Sequence, residues 1–239
     1  MKSEAKTPPI VVIGGANMDL SGQAAVAMRS GDSLPGTVRA SAGGVGRNIA
    51  EALARLGRLT KLIAALGDDG FAEDIVRQTS VAGVDLRATL RVPEQTTSTY
   101  LSVLDSAGEM QLAINDMDLV NALTPKVLAE RMRDLEDAKA WVVDANLSED
   151  ALAFIFSNTQ SNIPVFAEPV SVTKAVKLLP WLSRITLLKP NRIEAAALTG
   201  RPEDSPVEDL SRALHDLGVK RVVISQGRDG VWGSDADGD

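Results

Sequence analysis

The sequence contains no cysteine and only one histidine, His215. The lack of cysteine excludes a disulfide framework, a thiol nucleophile and a cysteine metal site. A Ser-His-Asp triad would have to use His215, which lies between leucines in a helical pattern. A histidine on a helix surface is the simpler interpretation. Aromatic residues make up only 3% of the chain, and its three tryptophans are most simply packing residues.

The sequence also lacks a basic block and a long apolar run. Its net charge is −7, so a nucleic-acid-binding surface is not expected. No apolar run approaches the roughly 20 residues needed to cross a bilayer, and residues 1–7 are polar and unlike a secretory signal. These absences predict a cytoplasmic protein that binds neither nucleic acid nor membrane.

The 239 residues are enough for one α/β domain with a sizeable core. Short apolar runs typical of buried strands alternate with helical patterns. The strand runs cover residues 10–13, 59–66, 140–143, 164–167, 185–188 and 221–224, and the helical patterns cover 71–81, 124–135, 148–160, 172–179, 191–198 and 207–217. This alternation predicts a doubly wound, mostly parallel sheet with helices on both faces.

Two segments break the alternation. Residues 96–116 contain two strand-like runs around a turn at 105–108, which is a hairpin pattern. Residues 20–41 are polar and punctuated by glycine, without helical period. Together they predict a small antiparallel β-lid on one edge of the sheet, although two unrelated surface excursions would fit as well. No linker divides the chain, so we expect one domain over residues 1–239.

A glycine-rich corner precedes the first helical pattern. Gly43, Gly44 and Gly46 run directly into a helix that begins near Asn48. Glycine lets backbone N–H groups approach a ligand, and a helix N-terminus adds unpaired donors with partial positive charge. The corner therefore predicts a polar ligand, while a turn that merely starts a helix is an equal alternative.

Polar pairs follow two further strands of the N-terminal half. Asn17 and Asp19 could accept hydrogen bonds from hydroxyl groups, but the same residues commonly bond their own turn. Asp68 and Asp69 could suggest a metal pair. An acidic turn before a helix N-terminus explains them as well.

Two more candidates follow strands of the C-terminal half. Asn191 and Glu194 lie three apart at a helix start and could hold a hydrated Mg²⁺, although a capping box is the favoured interpretation. Residues 225–230 carry Gly227 and Gly230 between two strand-like runs. They could admit a nucleotide phosphate, but a hairpin is the better interpretation in isolation.

The order of these motifs is more informative than any one of them. It resembles the ribokinase-like (PfkB) carbohydrate kinase family in residues 14–19 (GGANMD), 42–48 (AGGVGRN), 65–70 (ALGDDG), 189–194 (KPNRIE) and 225–230 (SQGRDG). Within that family, residues 113–117 (AINDM) and 168–171 (EPVS) look like pseudouridine kinases.

The resemblance implies a doubly wound domain whose β-lid closes over a sugar. It implies ATP-dependent phosphorylation of a hydroxymethyl group on a ribose-like ring, with the 5′-hydroxyl of pseudouridine preferred. The implied substrate contacts are Asn17, Asp19, Gly43, Gly44 and Asn48, with Asn115 and Asp116 as weaker candidates near the lid. The implied ATP contacts are Asn191, Ser225 and Gly227, with Asn191 and Glu194 organising Mg²⁺. The remaining expectations are a monovalent-cation site in the full-length family and a homodimer formed through the lid.

One family motif is absent. The family takes its catalytic base and its anion-binding N–H groups from a Gly-Ala-Gly-Asp sequence on a later helix, and residues 237–239 (DGD) are no substitute because no helix follows them. We therefore expect a C-terminally incomplete domain with no catalytic base and impaired activity. A kinase for ribose or another sugar or nucleoside, and a non-catalytic sugar-binding remnant, remain alternatives. A dinucleotide oxidoreductase does not fit, because residues 14–19 lack G-x-G-x-x-G spacing.

Overall fold

The structure is a computed structural model that describes residues 7–133, 135 and 138–236. The run at 237–239, weighed above as a substitute for the missing motif, lies outside the described residues. Within the described part of the chain, none of the helices is long and apolar enough to cross a membrane.

Strands and helices alternate along most of the chain. The strands are β1 (Ile10–Ile13), β2 (Asn17–Ala24), β3 (Gly36–Gly43), β4 (Thr60–Ile63), β5 (Ala65–Leu66), β6 (Leu90–Arg91), β7 (Thr99–Leu104), β8 (Met110–Asp116), β9 (Ala140–Asp144), β10 (Val165–Glu168), β11 (Leu187–Leu188), β12 (Arg221–Ser225) and β13 (Val231–Asp235). The helices are α1 (Val45–Arg55), α2 (Gly70–Val81), α3 (Pro125–Met132), α4 (Glu149–Asn158), α5 (Val172–Ala175), α6 (Arg192–Thr199) and α7 (Val207–Asp216). Short 3₁₀ segments occupy Asp118–Ala122, Val176–Arg184 and Gly227–Asp229.

The main sheet has seven strands in the order β13-β12-β11-β10-β9-β1-β4, and all its pairs are parallel except β12–β13. Side chains alternate between the faces of a strand, and β1 illustrates the result. Val11 and Ile13 pack into the core formed with α3, α4, α6 and α7, whereas Val12 packs into the core formed with α1 and α2. The predicted doubly wound α/β fold is confirmed.

Two elements differ from the sequence prediction. The single strand expected over 59–66 is divided at Ala64, because the backbone of Ala64 and Leu66 bonds Leu90 and Val92 in a separate two-stranded sheet. The helix expected over 172–179 is one α-turn that continues as a 3₁₀ segment containing Pro180. Proline has no N–H to donate and therefore disfavours a regular α-helix there.

The lid is a four-stranded sheet with the order β3-β2-β7-β8. The pairs β2–β3 and β7–β8 are antiparallel, and the two hairpins join through a parallel pairing of β2 with β7. Asp19, Tyr100 and Asn115 lie opposite one another on three neighbouring strands. The next row consists of Leu20, Leu101 and Ile114. Because side chains alternate, the polar row and the apolar row face opposite sides of the lid.

The acidic turn at Asp68 and Asp69 is structural. Asp69 caps α2 by accepting the N–H of Ala72 at 2.9 Å, and its carboxylate also accepts the N–H (2.8 Å) and hydroxyl (2.7 Å) of Thr97. Burial alone would raise the pKa of Asp69, but the hydrogen bonds from Thr97 and Ala72 outweigh it and lower the pKa. The turn therefore ties α2 to the segment entering β7, and no cluster of three or more metal-ligating side chains occurs among the described residues.

His215 and the tryptophans occupy structural positions, as the simpler interpretation predicts. The ring nitrogens of half-buried His215 lie 2.8 Å from the carbonyl of Val219 and 2.8 Å from the hydroxyl of Ser234, which joins α7 to β13. Trp181 stacks on Phe156 with ring centroids 5.3 Å apart, and Trp141 is buried in the core.

Candidate active site

A cavity of about 540 Å³ opens between the lid, the N-terminus of α1 and the carboxyl ends of β9 and β10. This is the edge of a parallel sheet where ligands usually bind. The lining residues are Asn17, Asp19, Gly44, Val45, Asn48, Tyr100, Asn115, Met117, Asn146, Val170, Ser171, Thr173 and Lys174. Most of them are polar, so the cavity suits a ligand rich in hydroxyl and carbonyl groups.

The cavity brings together five of the seven residues that the sequence assigned to substrate, namely Asn17, Asp19, Gly44, Asn48 and Asn115. Asp116 is not among the lining residues. It lies two positions after Ile114 on β8 and so faces the apolar side of the lid, while Asn115 faces the cavity. Gly43 also does not line the cavity but lies behind Asp19, where its missing side chain has a role.

Asp19 is held in a defined orientation at the start of the lid. Its Oδ1 accepts a hydrogen bond of 2.6 Å from Nδ2 of the buried Asn17. Its Oδ2 lies against Gly43, where any Cβ would overlap the carboxylate. Among the described residues, none donates a hydrogen bond to Oδ2. This oxygen can therefore accept a hydrogen bond from a ligand hydroxyl.

The glycine corner places α1 against the turn between β1 and β2. Gly44 is the N-cap of α1 and has a φ of 94°, and a Cβ there would run into the backbone of Gly15 and Ala16. The N–H of Arg47 donates to the carbonyl of Gly15 at 3.0 Å. The start of the helix and the turn are thus in direct backbone contact, which only a residue without a side chain permits.

Asp144 stabilises this corner from below and was missed in the sequence. It is fully buried at the end of β9 and accepts the N–H of Gly15 at 2.8 Å and the N–H of Asn146 at 2.9 Å. Burial raises the pKa of Asp144, although the hydrogen bonds from Gly15 and Asn146 oppose that rise. A carboxylate directly after an apolar strand was the available signal.

The opposite wall of the cavity was also missed. Lys174 on α5 donates a 2.7 Å hydrogen bond from Nζ to Oδ1 of Asn146. Nearby Val170 has a φ of 71°, a conformation that costs a β-branched residue about 1–3 kcal/mol and tends to persist at functional sites. The only sequence signal was the run 168–171, which marks the segment without identifying the residues that reach the cavity.

A second group of predicted residues meets at the ends of β11 and β12. Asn191 caps α6 by accepting the N–H of Glu194 at 2.8 Å, and Oε2 of Glu194 accepts the N–H of Asn191 at 2.8 Å. Ser225 bridges Asn191 in parallel pairing, and Gly227, with a φ of 60°, begins the turn of the β12–β13 hairpin. The capping box and the hairpin are both confirmed, and they bring the four residues expected at the ATP site side by side.

The donor set near α6 fits a magnesium ion held mainly by water and phosphate. Glu194 is almost fully buried but uses only one carboxylate oxygen in the capping box. Glu168 lies close enough to Glu194 to interact electrostatically and pairs with Lys189 at 3.0 Å. Burial raises the pKa of Glu168, the Lys189 ammonium opposes the rise and Glu194 adds to it. One or two carboxylates with water and phosphate are the usual ligands of Mg²⁺ in nucleotide sites.

Comparisons with known proteins agree with this geometry. The family model described as "pfkB family carbohydrate kinase" matches residues 8–239. Pseudouridine kinase of Escherichia coli K12 is 44% identical over 96% of this chain and 74% of its own length, and the uncharacterized sugar kinase YeiI of the same organism is 38% identical over 96% and 64%. A carbohydrate kinase from Agrobacterium tumefaciens superposes with a TM-score of 0.85 at 31% identity, covering 96% of this chain and 74% of that one. The chain therefore belongs to the pfkB family of carbohydrate kinases.

Proposed function

We propose that this protein is a kinase for the 5′-hydroxyl of pseudouridine, with ATP as the phosphate donor. The 239 residues contain no Gly-Ala-Gly-Asp sequence, so the proposal assigns the catalytic base to none of them and expects the activity of this chain to be impaired. The observation that carries the proposal is the cavity in which the lid row Asp19, Tyr100 and Asn115 faces Asn48 of α1. Asp19 Oδ2 accepts a hydrogen bond from one sugar hydroxyl, and the polar side chains around it can bind the remaining sugar hydroxyls. The 44% identity to a pseudouridine kinase supports the choice of substrate.

The size and chemistry of the cavity support a nucleoside rather than a bare pentose. Its volume of about 540 Å³ lies within the range of about 300–1,000 Å³ typical of small-molecule sites. Beyond the sugar-binding residues, the cavity continues to Ser171, Thr173 and Lys174. These side chains offer hydroxyl and ammonium donors, which suit the carbonyl oxygens of a pyrimidine base.

The phosphate side of the reaction is assigned to Asn191, Glu194, Ser225 and Gly227. Phosphoryl transfer depends on positioning and charge neutralisation more than on covalent chemistry by the protein. Glu194 and Asn191 would hold Mg²⁺ through water, and the ion when bound would neutralise phosphate charge. The turn at Gly227 leaves backbone space for the nucleotide. The chain covers 74% and 64% of the two curated relatives, so the activity of the whole protein is part of this proposal.

The outer face of the lid supports a homodimer. Val38, Leu101, Leu112 and Ile114 lie on this face with exposed fractions of 80%, 38%, 55% and 56%. A contiguous apolar surface of this kind commonly marks a protein interface. A second copy of the chain is the proposed partner, and the cytoplasm, where ATP is available, is the proposed location.

Titration calorimetry with pseudouridine, uridine and ribose tests the proposal. We expect pseudouridine to bind most tightly and Asp19→Ala to raise Kd at least tenfold, which is about 1.4 kcal/mol. Asp74→Ala is a matched control, because it removes the same charge from an exposed ion pair on α2. Equal binding by the wild type and Asp19→Ala would refute the site, and equal binding of ribose would favour a sugar kinase. Because the Gly-Ala-Gly-Asp sequence is absent, we expect binding with little ADP formation, and turnover at a normal enzyme rate would contradict the expected impairment.

A further inference from the structure

Arg47 is a buried charge at the glycine corner that the proposed reaction does not use. Its residue is 6% exposed. Nε donates to the Thr79 hydroxyl at 2.9 Å, and Nη1 donates to the carbonyl of Ala42 at 3.2 Å. Nη2 pairs with Glu51 at 2.5 Å. One guanidinium thus connects α1, α2 and the lid strand β3.

The fourth contact of Arg47 reaches the cavity. Nη1 lies 3.0 Å from Oδ1 of Asn48, which is the next residue along α1 and lines the cavity. Asparagine can present either its oxygen or its NH₂ group to a partner. Arginine carries only donors, so the atom that faces it must be the Asn48 oxygen. The NH₂ group of Asn48 is therefore the part left to bind a ligand.

We propose that Arg47 is a positioning residue that fixes the Asn48 amide so that the glycine corner presents hydrogen-bond donors to the substrate. The inference rests on the proposed function and deepens it. Asp19 offers an acceptor on one side, and the fixed Asn48 offers donors on the other. This pair selects a ligand that donates a hydrogen bond from one hydroxyl group to Asp19 and accepts a hydrogen bond from Asn48 at one oxygen. A sugar with neighbouring hydroxyl groups satisfies both.

The hydrogen bond from Arg47 to the carbonyl of Ala42 also connects the guanidinium to the lid. Ala42 lies on β3, opposite Met18 of β2 and next to the strand position of Asp19. The side chain that orients Asn48 therefore also holds the backbone of the lid strand beside Asp19. Burial lowers the pKa of Arg47, while the charges of Glu51 and Asp19 oppose that change. Arginine stays protonated in proteins, so these contacts remain donor contacts at any working pH.

Variants at Arg47 and Asn48 separate positioning from simple packing. Arg47→Lys keeps a positive charge near Glu51 but cannot hold Thr79, Ala42 and Asn48 at once. Arg55→Met is the matched control, because Arg55 lies on the same helix and pairs with the same Glu51 at 2.6 Å while remaining exposed. Asn48→Ala removes the oriented amide and leaves Arg47 in place.

The binding experiment measures Kd for pseudouridine by calorimetry in these variants. We expect Arg47→Lys to raise Kd at least tenfold and Arg55→Met to change it less than twofold. In the Asn48→Ala background, Arg47→Lys should cause a smaller loss of affinity than in the wild type, because the contribution that Arg47 makes through the amide is already gone and only its contact with Ala42 remains. An equal loss in both backgrounds would indicate packing alone and overturn the proposal, as would wild-type affinity in Arg47→Lys.

A second measurement needs no ligand. Urea unfolding of Arg47→Met, Asn48→Ala and the double variant forms a double-mutant cycle. We expect the double variant to lose less than the sum of the two single losses, whereas the pair Arg55→Met and Asn48→Ala should be additive. Additive losses at Arg47 and Asn48 would refute their contact whatever the protein binds. If the cycle shows coupling but the wild type binds neither pseudouridine, uridine nor ribose, the proposed function is refuted. The contact by which Arg47 orients the Asn48 amide would still stand.

Discussion

Replacing Gly44 with alanine should destabilise the protein and disrupt the cavity. Gly44 has a φ of 94° and a ψ of 135°, a combination that residues with a Cβ rarely adopt. The added Cβ would also meet the carbonyl of Gly15 and Cα of Ala16. Both are backbone atoms, so no side-chain rotation relieves the overlap.

The loss of stability expected for Gly44→Ala has two parts. Holding alanine in this conformation costs about 1–3 kcal/mol, and forcing a methyl group into a filled site costs about 1–3 kcal/mol more. The sum of about 2–6 kcal/mol is a large share of the roughly 5–15 kcal/mol that stabilises a typical protein. A chain of this size loses about 2–4 °C in Tm per kcal/mol. We therefore expect Gly44→Ala to lower Tm by at least about 4 °C.

Thermal melts of Gly44→Ala and Gly57→Ala measure the steric part separately. Gly57 follows the same helix and has a φ of 75°, but nothing lies within 4 Å of a Cβ placed there. Gly57→Ala therefore carries only conformational strain, about 1–2 kcal/mol. Gly44→Ala should lose clearly more stability and should bind pseudouridine more weakly. Equal Tm values for the two variants would refute the reasoning about the backbone overlap.

Three further predictions concern the acidic residues and the lid. Asp69→Ala should reduce the free energy of unfolding by about 1–3 kcal/mol at pH 7. Because the pKa of Asp69 is lowered, the difference from wild type in urea unfolding should shrink as the pH falls below about 4. A difference that stays constant with pH would contradict this. The contribution of Asp144 to stability changes with pH in the opposite direction, because its raised pKa makes the native state lose stability as the pH rises above about 4. The loss caused by Asp144→Asn should therefore be greatest at low pH and smaller at neutral pH, and the reverse trend would contradict the burial argument. Ile114→Lys should convert a dimer into a monomer in light scattering, whereas a wild-type monomer would exclude the lid interface.

The fold could be predicted because its signals are local. The runs at residues 10–13 and 140–143 are apolar and short, and the turn at 105–108 identifies its hairpin. The parallel pairing of β2 with β7 could not be predicted, because the partners lie about 80 positions apart and no local pattern records it. The division at Ala64 depends on the same kind of distant partner.

The site could be predicted only where its residues belong to motifs. Asn17, Asp19 and Asn48 occur in glycine-rich runs that mark strand ends, and the structure brings them to one cavity. Lys174 and Tyr100 belong to no such motif. They reach the cavity because they lie on α5, which is a one-turn helix, and on the lid strand β7. A motif also does not record the direction of its side chains, since Asn115 and Asp116 are neighbours whose side chains leave β8 in opposite directions.

Asp19 belongs to β2, a strand of the lid itself. A sugar hydroxyl bound to Asp19, as proposed, would therefore be held by the lid and not by the main sheet. Because β2 is hydrogen-bonded to β3 and β7, and β7 to β8, bound ligand should slow amide hydrogen exchange across all four lid strands together.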